Sequence, residues 1–423
     1  MKILLISTNT ETINMQVFPL GLASVAQAVM NSGHQVKWLD LMGQADIDPL
    51  ITGTINDFDP DVIGISIRNV DDQNMKKPVF FLPAVRHIVD LCKNISGSPI
   101  VAGGAGYSIF PDSCLEYINA EMGIKGEGEA VFPELLKRLE SNQPADINGL
   151  YVRGKGARAE AVYMYELDKF PLPDPDQFPL TAYKGDSFFV PVQTRRGCPV
   201  GCSYCSTPTI EGRHLRKRSP GKIISWLKKW IEKGFSSFQF VDNTFNLPNE
   251  YAIDLCKAII GESLDIRWRS IIYPGHISDK LVNNMAQAGC TEISFGFESG
   301  SDDILVSMNK EYRADTVLKS IENFKQNNIS VMGFLLLGGP GETRDTVMRS
   351  LEFAEKSGAD SLKVTSGIRI YPGTQLAEIA LKQGMVEKGD DLLYPRFYLE
   401  KNLEGWLDEV VEEYAERHPE WII

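Results

Sequence analysis

Short apolar runs alternate with amphipathic stretches from the first residue onward. In 1–141 the runs at 2–7, 35–40, 62–67, 99–102 and 121–124 predict strands. Between them, 20–31 and 82–93 carry helical spacing, and Gly33 stops the first. Strands that are apolar throughout, alternating with helices, predict a parallel sheet covered on both faces. Five such units make an α/β domain of the doubly wound, flavodoxin-like kind. Ligands of such sheets bind beyond the carboxyl ends of the strands, at the topological switch point.

The pattern changes over 142–187. Residues 147–165 read as a hairpin turning at Gly154-Lys155-Gly156, and Pro171, Pro173, Pro175 and Pro179 predict a stiff, extended linker. A second series fills 188–385, with strands predicted at 188–193, 237–241, 266–271, 292–297, 330–337 and 361–370 and helices such as 219–233 and 278–288. Six units are too few for a closed eight-stranded barrel, so a partial (β/α)6 barrel is expected, with its chemistry at the strands' carboxyl ends. The acidic stretch 386–423 reads as a short helical cap.

Composition narrows the class. A chain of 423 residues, 43% hydrophobic and 23% charged, can bury large cores, which excludes a disordered or disulfide-stapled protein. The formal net charge of −13 argues against nucleic acid as a partner held by charge. The locally basic Arg195-Arg196 and Arg213-His214-Leu215-Arg216-Lys217-Arg218 read as a solvated barrel edge. No run nears the ~18 apolar residues of a membrane span, and the N-terminus lacks a signal-peptide pattern, so a cytoplasmic protein is expected.

Three of the seven cysteines crowd one loop, Cys198-Pro199-Val200-Gly201-Cys202-Ser203-Tyr204-Cys205, spaced CxxxCxxC. Cys92, Cys114, Cys256 and Cys290 are scattered and read as packing residues. In a reducing compartment such a loop points to metal or redox chemistry. Zinc wants four ligands, and His214 or a distant residue would have to supply the last. An iron–sulfur cluster needs thiolates and can leave one iron open to a ligand. Gly197 and Gly201 let the backbone wrap closely.

The loop, placed directly after the first barrel strand, resembles that of the radical S-adenosylmethionine (SAM) enzymes. That resemblance implies a [4Fe–4S] cluster on Cys198, Cys202 and Cys205, with the open iron chelating the amino and carboxylate groups of SAM. Further segments match in order through 188–385. Phe240-Val241-Asp242-Asn243-Thr244-Phe245-Asn246 is similar to the segment facing the methionyl group of SAM, which implicates Asp242 and Asn243. Phe295-Gly296-Phe297-Glu298-Ser299-Gly300 places Glu298 and Ser299 near its amino acid or ribose. Gly338-Gly339-Pro340-Gly341-Glu342-Thr343 looks like the family's PGET segment, and its backbone N–H groups are expected to receive a polar cofactor. Tyr371-Pro372-Gly373-Thr374-Gln375-Leu376 resembles a YPGTPL segment with Gln375 in place of proline, and Tyr204 stands where the family sets an aromatic ring against adenine.

A doubly wound domain ahead of such a barrel resembles the cobalamin-binding branch of that family. The matching segments are Phe18-Pro19-Leu20-Gly21-Leu22, Asp61-Val62-Ile63-Gly64-Ile65-Ser66, Gly103-Gly104-Ala105-Gly106 and Gly126-Glu127-Gly128-Glu129, whose counterparts cradle the corrin and its nucleotide tail. Flavin or a nucleotide could take the same kind of sheet, but no G-x-G-x-x-G follows the first strand. Where some cobalamin domains carry Asp-x-His-x-x-Gly, this chain reads Ser7-Thr8-Asn9-Thr10-Glu11-Thr12, and His34 and His87 lie away from strand ends. Strand three, at the switch point, ends Ser66-Ile67-Arg68-Asn69. Arg68 has no lone pair for a metal and is expected at the lower cobalt face, with Asn69 as the fallback. A surface pair of Arg68 with Asp71 or Asp72 is the alternative.

What the branch implies is a methyltransferase moving a methyl group from SAM, through methylcobalamin, to an unactivated carbon. An external electron donor of flavodoxin or ferredoxin type is implied with it. Oxidation, cyclisation or rearrangement on the same cofactors is a second reading, and a non-catalytic cobalamin-sensing protein a third. The short cap suits a bulky substrate such as a protein side chain or a lipid, with a small metabolite also open.

Overall fold

A computed structural model describes residues 1–11, 17–157, 161–180, 183 and 188–423. The first sheet is built on β1 (Lys2–Ser7), whose alternate side chains enter two different cores. Ile3 and Leu5 pack with Ala23, Val29 and Leu135 of the helices Leu20–Asn31 and Gly128–Glu140. Leu4 and Ile6 pack with Ile55, Val85 and Ile88 on the other face. This two-sided burial is why the strand is apolar without interruption. With β2 (Gln35–Asp40), β3 (Val62–Ser66), β4 (Ile100–Gly103) and β5 (Met122–Ile124), the parallel order is 2-1-3-4-5. The switch point therefore lies between β1 and β3, as expected.

The hairpin strands β6 (Leu150–Val152) and β7 (Gly156–Ala157) add antiparallel to β5 and extend this same sheet. The proline stretch is more structured than a plain spacer, with 3-10 turns at Leu167–Lys169 and Pro175–Gln177. It is also anchored. Trp226 Nε1 donates to the Pro173 carbonyl at 2.6 Å, and Phe178 and Tyr183 pack edge-on against Phe18 of the first half. The expected hairpin, linker and β1 end each include residues outside the described set, namely 158–160, 181–182, 184–187 and Thr12.

The second half begins with β8 (Val190–Val192) and a two-stranded antiparallel ribbon of β9 (Arg195–Arg196) and β10 (Arg216–Lys217) that flanks the cysteine loop. Then come β11 (Ser237–Phe240), β12 (Arg267–Ile272), β13 (Cys290–Glu298), β14 (Ser330–Leu337), β15 (Ser361–Ser366), β16 (Ile368–Arg369), β17 (Phe397–Tyr398) and β18 (Trp421–Ile422). The barrel sheet is parallel in the order 18-15-14-13-12-11-8, so it holds seven strands, where the sequence pattern predicts six. The extra strand comes from the stretch read as a helical cap. That stretch does contain the helix Trp406–Arg417, but its β17 pairs with β16 and its β18 joins the sheet edge. The expected strand at 361–370 breaks into β15 and β16 at Gly367 (φ 74°), where Met75 of the first half packs so closely that a Cβ would meet its Sδ.

After β14 the chain turns through Gly338-Gly339-Pro340-Gly341 into the helix Arg344–Lys356, which a Thr343–Thr346 capping box opens. Glu342 holds this turn. Its Oε2 accepts from the backbone N–H groups of Gly338 and Gly339, while Oε1 is buried without a partner. Burial pushes the carboxyl from its ordinary 4.5 up to about 7. A group that binds its proton more tightly when folded favours the native state below the unfolded value and loses that contribution as pH rises through the folded one. From pH 5.5 to 8 the wild type should therefore lose about 2 kcal/mol of stability relative to E342Q, whose amide oxygen can still accept both N–H groups. Urea unfolding across that range measures it, and a wild-type-to-variant difference that does not change with pH contradicts it.

Candidate functional site

A cavity of about 500 Å³ opens at the carboxyl ends of β1, β3 and β4. Its wall takes Ser66, Arg68, Gly103, Gly104, Gly126 and Glu127 from the first half, and Gln193, Arg196, Glu211 and Asn243 from the second. All six first-half residues were expected around a corrin. Asn69, the fallback, is exposed and is not among the lining residues. The cavity suits a large, mostly apolar ligand with polar groups at its rim. A Cβ on Gly103 would touch only the Ile124 carbonyl at 3.8 Å and otherwise enter the open space, and among the described residues the buried Asn9 Nδ2 on the wall has no hydrogen-bond acceptor. Gly104 (φ 106°) turns the chain where a Cβ would stand 2.5 Å from the Ile67 carbonyl oxygen.

Arg68 reaches solvent at this cavity. Burial of part of its side chain pulls the guanidinium below its ordinary value, and it remains protonated at neutral pH. The surface pairing left open by the sequence is not formed. Asp71 instead bonds Arg369 at 2.8 Å, and Asp72 accepts from the backbone of Asn74 and Val79. Among the described residues no histidine lines the cavity; His87 pairs with Asp48, and His34 lies beside the N-terminal amine.

The basic residues read as a solvated edge are largely buried, which corrects that expectation. Arg195, Arg196, Arg216 and Arg218 are 2–7% exposed, while Arg213, His214 and Lys217 face out. The physical reason is a set of buried partners: Arg195 lies 3.5 Å from Asp242 of the barrel, Arg218 bonds the Leu167 and Phe170 carbonyls, and the other two reach into the first half. Arg196 meets Glu129 at 2.5 Å and Glu127 at 3.7 Å, and Arg216 meets Glu127 at 2.5 Å. Burial alone would raise the Glu129 carboxyl, but Arg196 outweighs it and holds the group below its ordinary value. Glu127 also accepts from the Met164 backbone at 2.6 Å, so its carboxylate binds the two halves together from the cavity wall.

Between the two ribbon strands, the loop carries Cys198, Cys202 and Cys205. Gly197 (φ 87°) passes so close to the His214 carbonyl that any Cβ would collide, and the Cys198 N–H donates to Gly212 O at 3.1 Å. Glu211 ties the loop to the cavity, accepting from Gly197 N at 3.1 Å, Asn243 Nδ2 at 2.8 Å and Gln193 Nε2 at 3.0 Å. Burial pushes the Cys198 thiol up to about 11. The Cys202 thiol is also raised by burial, with Lys310 acting in the opposite direction. Three thiols on one glycine-flanked loop suit a polynuclear iron–sulfur core. Among the described residues no three His, Cys, Asp or Glu side chains converge as they would around a single ion. The other four cysteines are buried, with thiols raised by burial, as packing residues should be.

Beside this loop, Tyr204 OH donates to Glu298 Oε1 at 2.8 Å, and Lys310 Nζ donates to both, each at 3.0 Å. Glu298 adopts φ 62° at a register shift where β13 ends, which turns its carboxylate toward Tyr204. Lys310 was not foreseen, because no motif or spacing marks it. Three expected cofactor contacts are spent inside the protein. Asp242 is 1% exposed and accepts from Thr194 N, Thr194 Oγ1 and Arg195 N at 2.8, 2.6 and 3.1 Å, so it fixes the turn ahead of the cysteine loop. Ser299 is buried on Ser350 at 2.9 Å. The N–H groups of Gly338, Gly339 and Gly341 go to Glu342 and Glu400, while Pro340 has no N–H to give.

Known proteins match along this whole arrangement. Residues 6–136 match the B12 binding domain and residues 192–354 the Radical SAM superfamily. An uncharacterised methyltransferase of Pyrococcus horikoshii is 30% identical over 399 residues, 91% of this chain and 84% of its own length. The cytidylyl-2-hydroxyethylphosphonate methyltransferase of Streptomyces wedmorensis is 24% identical, covering 94% of this chain and 84% of its own. The fold is that of the radical SAM methyltransferase TsrM from Kitasatospora setae, solved with cobalamin and a [4Fe–4S] cluster, at a TM-score of 0.86 and 20% identity over 100% of this chain and 90% of that one. With the B12 binding match ahead of the radical SAM match and a relative 30% identical over most of both chains, the chain belongs to the radical SAM superfamily, among the members that carry a B12 binding domain ahead of the barrel.

Proposed function

We propose that this chain is a cobalamin-dependent radical SAM methyltransferase acting on a carbon with no useful acidity. One observation carries the reading: Glu211 lines the first-half cavity and also bonds the Gly197 backbone next to Cys198. A corrin in the cavity and a cluster on Cys198, Cys202 and Cys205 would share that wall, as a reaction drawing on both requires. Cobalamin supplies a methyl carrier, and the cluster with SAM supplies one-electron cleavage of a carbon–sulfur bond. The relatives named as methyltransferases support the transfer over the non-methylating alternatives.

The protein's own task is binding, orientation and exclusion of water. The opposite charges of Lys310 and Glu298, 3.0 Å apart and buried, match the carboxylate and ammonium of the methionyl end of SAM. Tyr204 hydrogen-bonds that same Glu298 and fixes its orientation. Asp242 acts one step back, holding the backbone from which the loop departs. Arg68, protonated and without a lone pair, would face a corrin held in this cavity without ligating its metal.

Two outcomes test this. Replacing Cys198, Cys202 and Cys205 together by alanine should remove the bound iron and abolish 5′-deoxyadenosine formation while cobalamin still binds; iron content and SAM cleavage that survive would sink the assignment. Electron paramagnetic resonance of the Co(II) form should show no nitrogen superhyperfine splitting from an axial histidine, and Arg68→Ala should change the spectrum to that of a water-ligated cobalt. A histidine-split spectrum, or one untouched by the substitution, contradicts the place given to Arg68.

A further inference from the structure

We propose that Lys363, on the inner wall of the open barrel, receives one anionic group of the substrate, a carboxylate or a phosphate, while the apolar side chains beside it take the substrate's body. This rests on the methyltransferase reading, because it takes the lumen to be where the substrate lies.

Strand alternation shows which way each side chain points. On β14 and β15, Val331, Leu335, Leu337, Leu362 and Val364 are buried in the core shared with Val347, Leu351 and Val410 of the outer helices. The residues between them, Met332, Phe334, Leu336, Lys363 and Thr365, therefore face inward, and each keeps partial solvent access. The same holds on β12 and β13, where Ile271, Ser294 and Gly296 are partly accessible beside buried Ile272, Ile293 and Phe295. A barrel filled by its own side chains buries such positions. Here solvent still reaches them, so their own side chains do not close the lumen.

The lumen opens onto the Tyr204–Glu298–Lys310 group. A Cβ on Gly296 would stand 2.8 Å from Glu298 Oε1, so the missing side chain lets that carboxylate lie over the inner face of the strand. Register places Gly296, Phe334 and Lys363 side by side on three neighbouring strands. Lys363 is thus about 10 Å across the wall from Gly296, two strand spacings away. A substrate anchored at Lys363 would lie over Phe334 with its far end beside Glu298.

Charge bookkeeping on this face singles out Lys363. Of the other inward charges on these strands, Arg269 and Glu292 meet each other at 3.9 Å, Arg269 also bonds Gln239 and stacks over Phe189, Arg267 bonds Ser237, and Glu298 pairs with Lys310. Lys363 has no ion pair among the described residues. An unpaired ammonium on a wall of Ile271, Met332, Phe334 and Leu336 is compensated best by an anion on an otherwise apolar molecule. Entry is available at the sheet edge, where Ile422, paired in register with Lys363, is 50% exposed.

The probes are 1-naphthylacetate and its neutral isostere 1-naphthylacetamide, titrated calorimetrically into the protein reconstituted with cluster, cobalamin and SAM. The acid should bind at least tenfold more tightly than the amide. Lys363→Met should remove that preference and leave amide binding unchanged, and Lys363→Arg should restore it. Lys363→Gln serves if the methionine variant loses cobalamin or iron. Equal affinity for acid and amide, no binding of either at millimolar concentration, or a K363M protein that keeps the preference would each overturn the proposal. Binding is read without turnover, so a charge-dependent site in a preparation that transfers no methyl group would remove the methyltransferase reading and leave this site standing.

Discussion

The buried ionic contact of Arg196 and Arg216 with Glu127 and Glu129 sets where everything else stands. The two arginines lie on the ribbon that carries the cysteine loop, and the two glutamates lie at the start of the last helix of the first half. Charges this deeply buried are costly to desolvate, and stranding one of them costs about 3–5 kcal/mol, so they tolerate only one relative placement of the halves. That placement puts Glu127, Arg196 and Glu211 on one cavity wall. Apolar contact across the halves is large but would allow sliding. The ion pairs fix the register.

From that register the division of labour in the barrel follows. Side chains at the strand ends are either spent on the scaffold or left facing inward. Asp242, Ser299 and Glu342 hold turns, whereas Tyr204, Glu298 and Lys310 form a polar group beside the thiols. Of two carboxylates at the carboxyl ends of barrel strands, Asp242 is closed in by three backbone and hydroxyl donors, and Glu298 is turned by a positive φ toward the site. Position at a barrel mouth alone does not separate a structural acid from a ligand-facing one. The hydrogen-bond partners do.

The regular part of this architecture was legible in the sequence. β1, β2, β14 and the helix Leu20–Asn31 lie where apolar runs and helical spacing put them, because each is long enough to show its period. β18 was not legible, since the two residues Trp421 and Ile422 carry no period and pair with β15 only through the tertiary fold. The burial of Arg196 and Arg216 was hidden for a similar reason: their partners lie far away in the chain, so a basic run reads as solvated. The cysteine loop was legible from spacing alone, whereas Lys310 lies in Met308-Asn309-Lys310, a segment without a pattern. Motifs singled out candidate positions but not which of their atoms the fold already uses.

The central claim, that both halves serve one methyl transfer, is tested most directly by following the methyl group itself. The anaerobically reconstituted protein is incubated with trideuteromethyl-labelled SAM, a reductant and a cell extract, and products are searched by mass spectrometry. The account predicts a product carrying one intact trideuteromethyl group, formed only when cobalamin is present. 5′-Deoxyadenosine formed with no labelled product, alongside a compound that has only lost hydrogen, would contradict it.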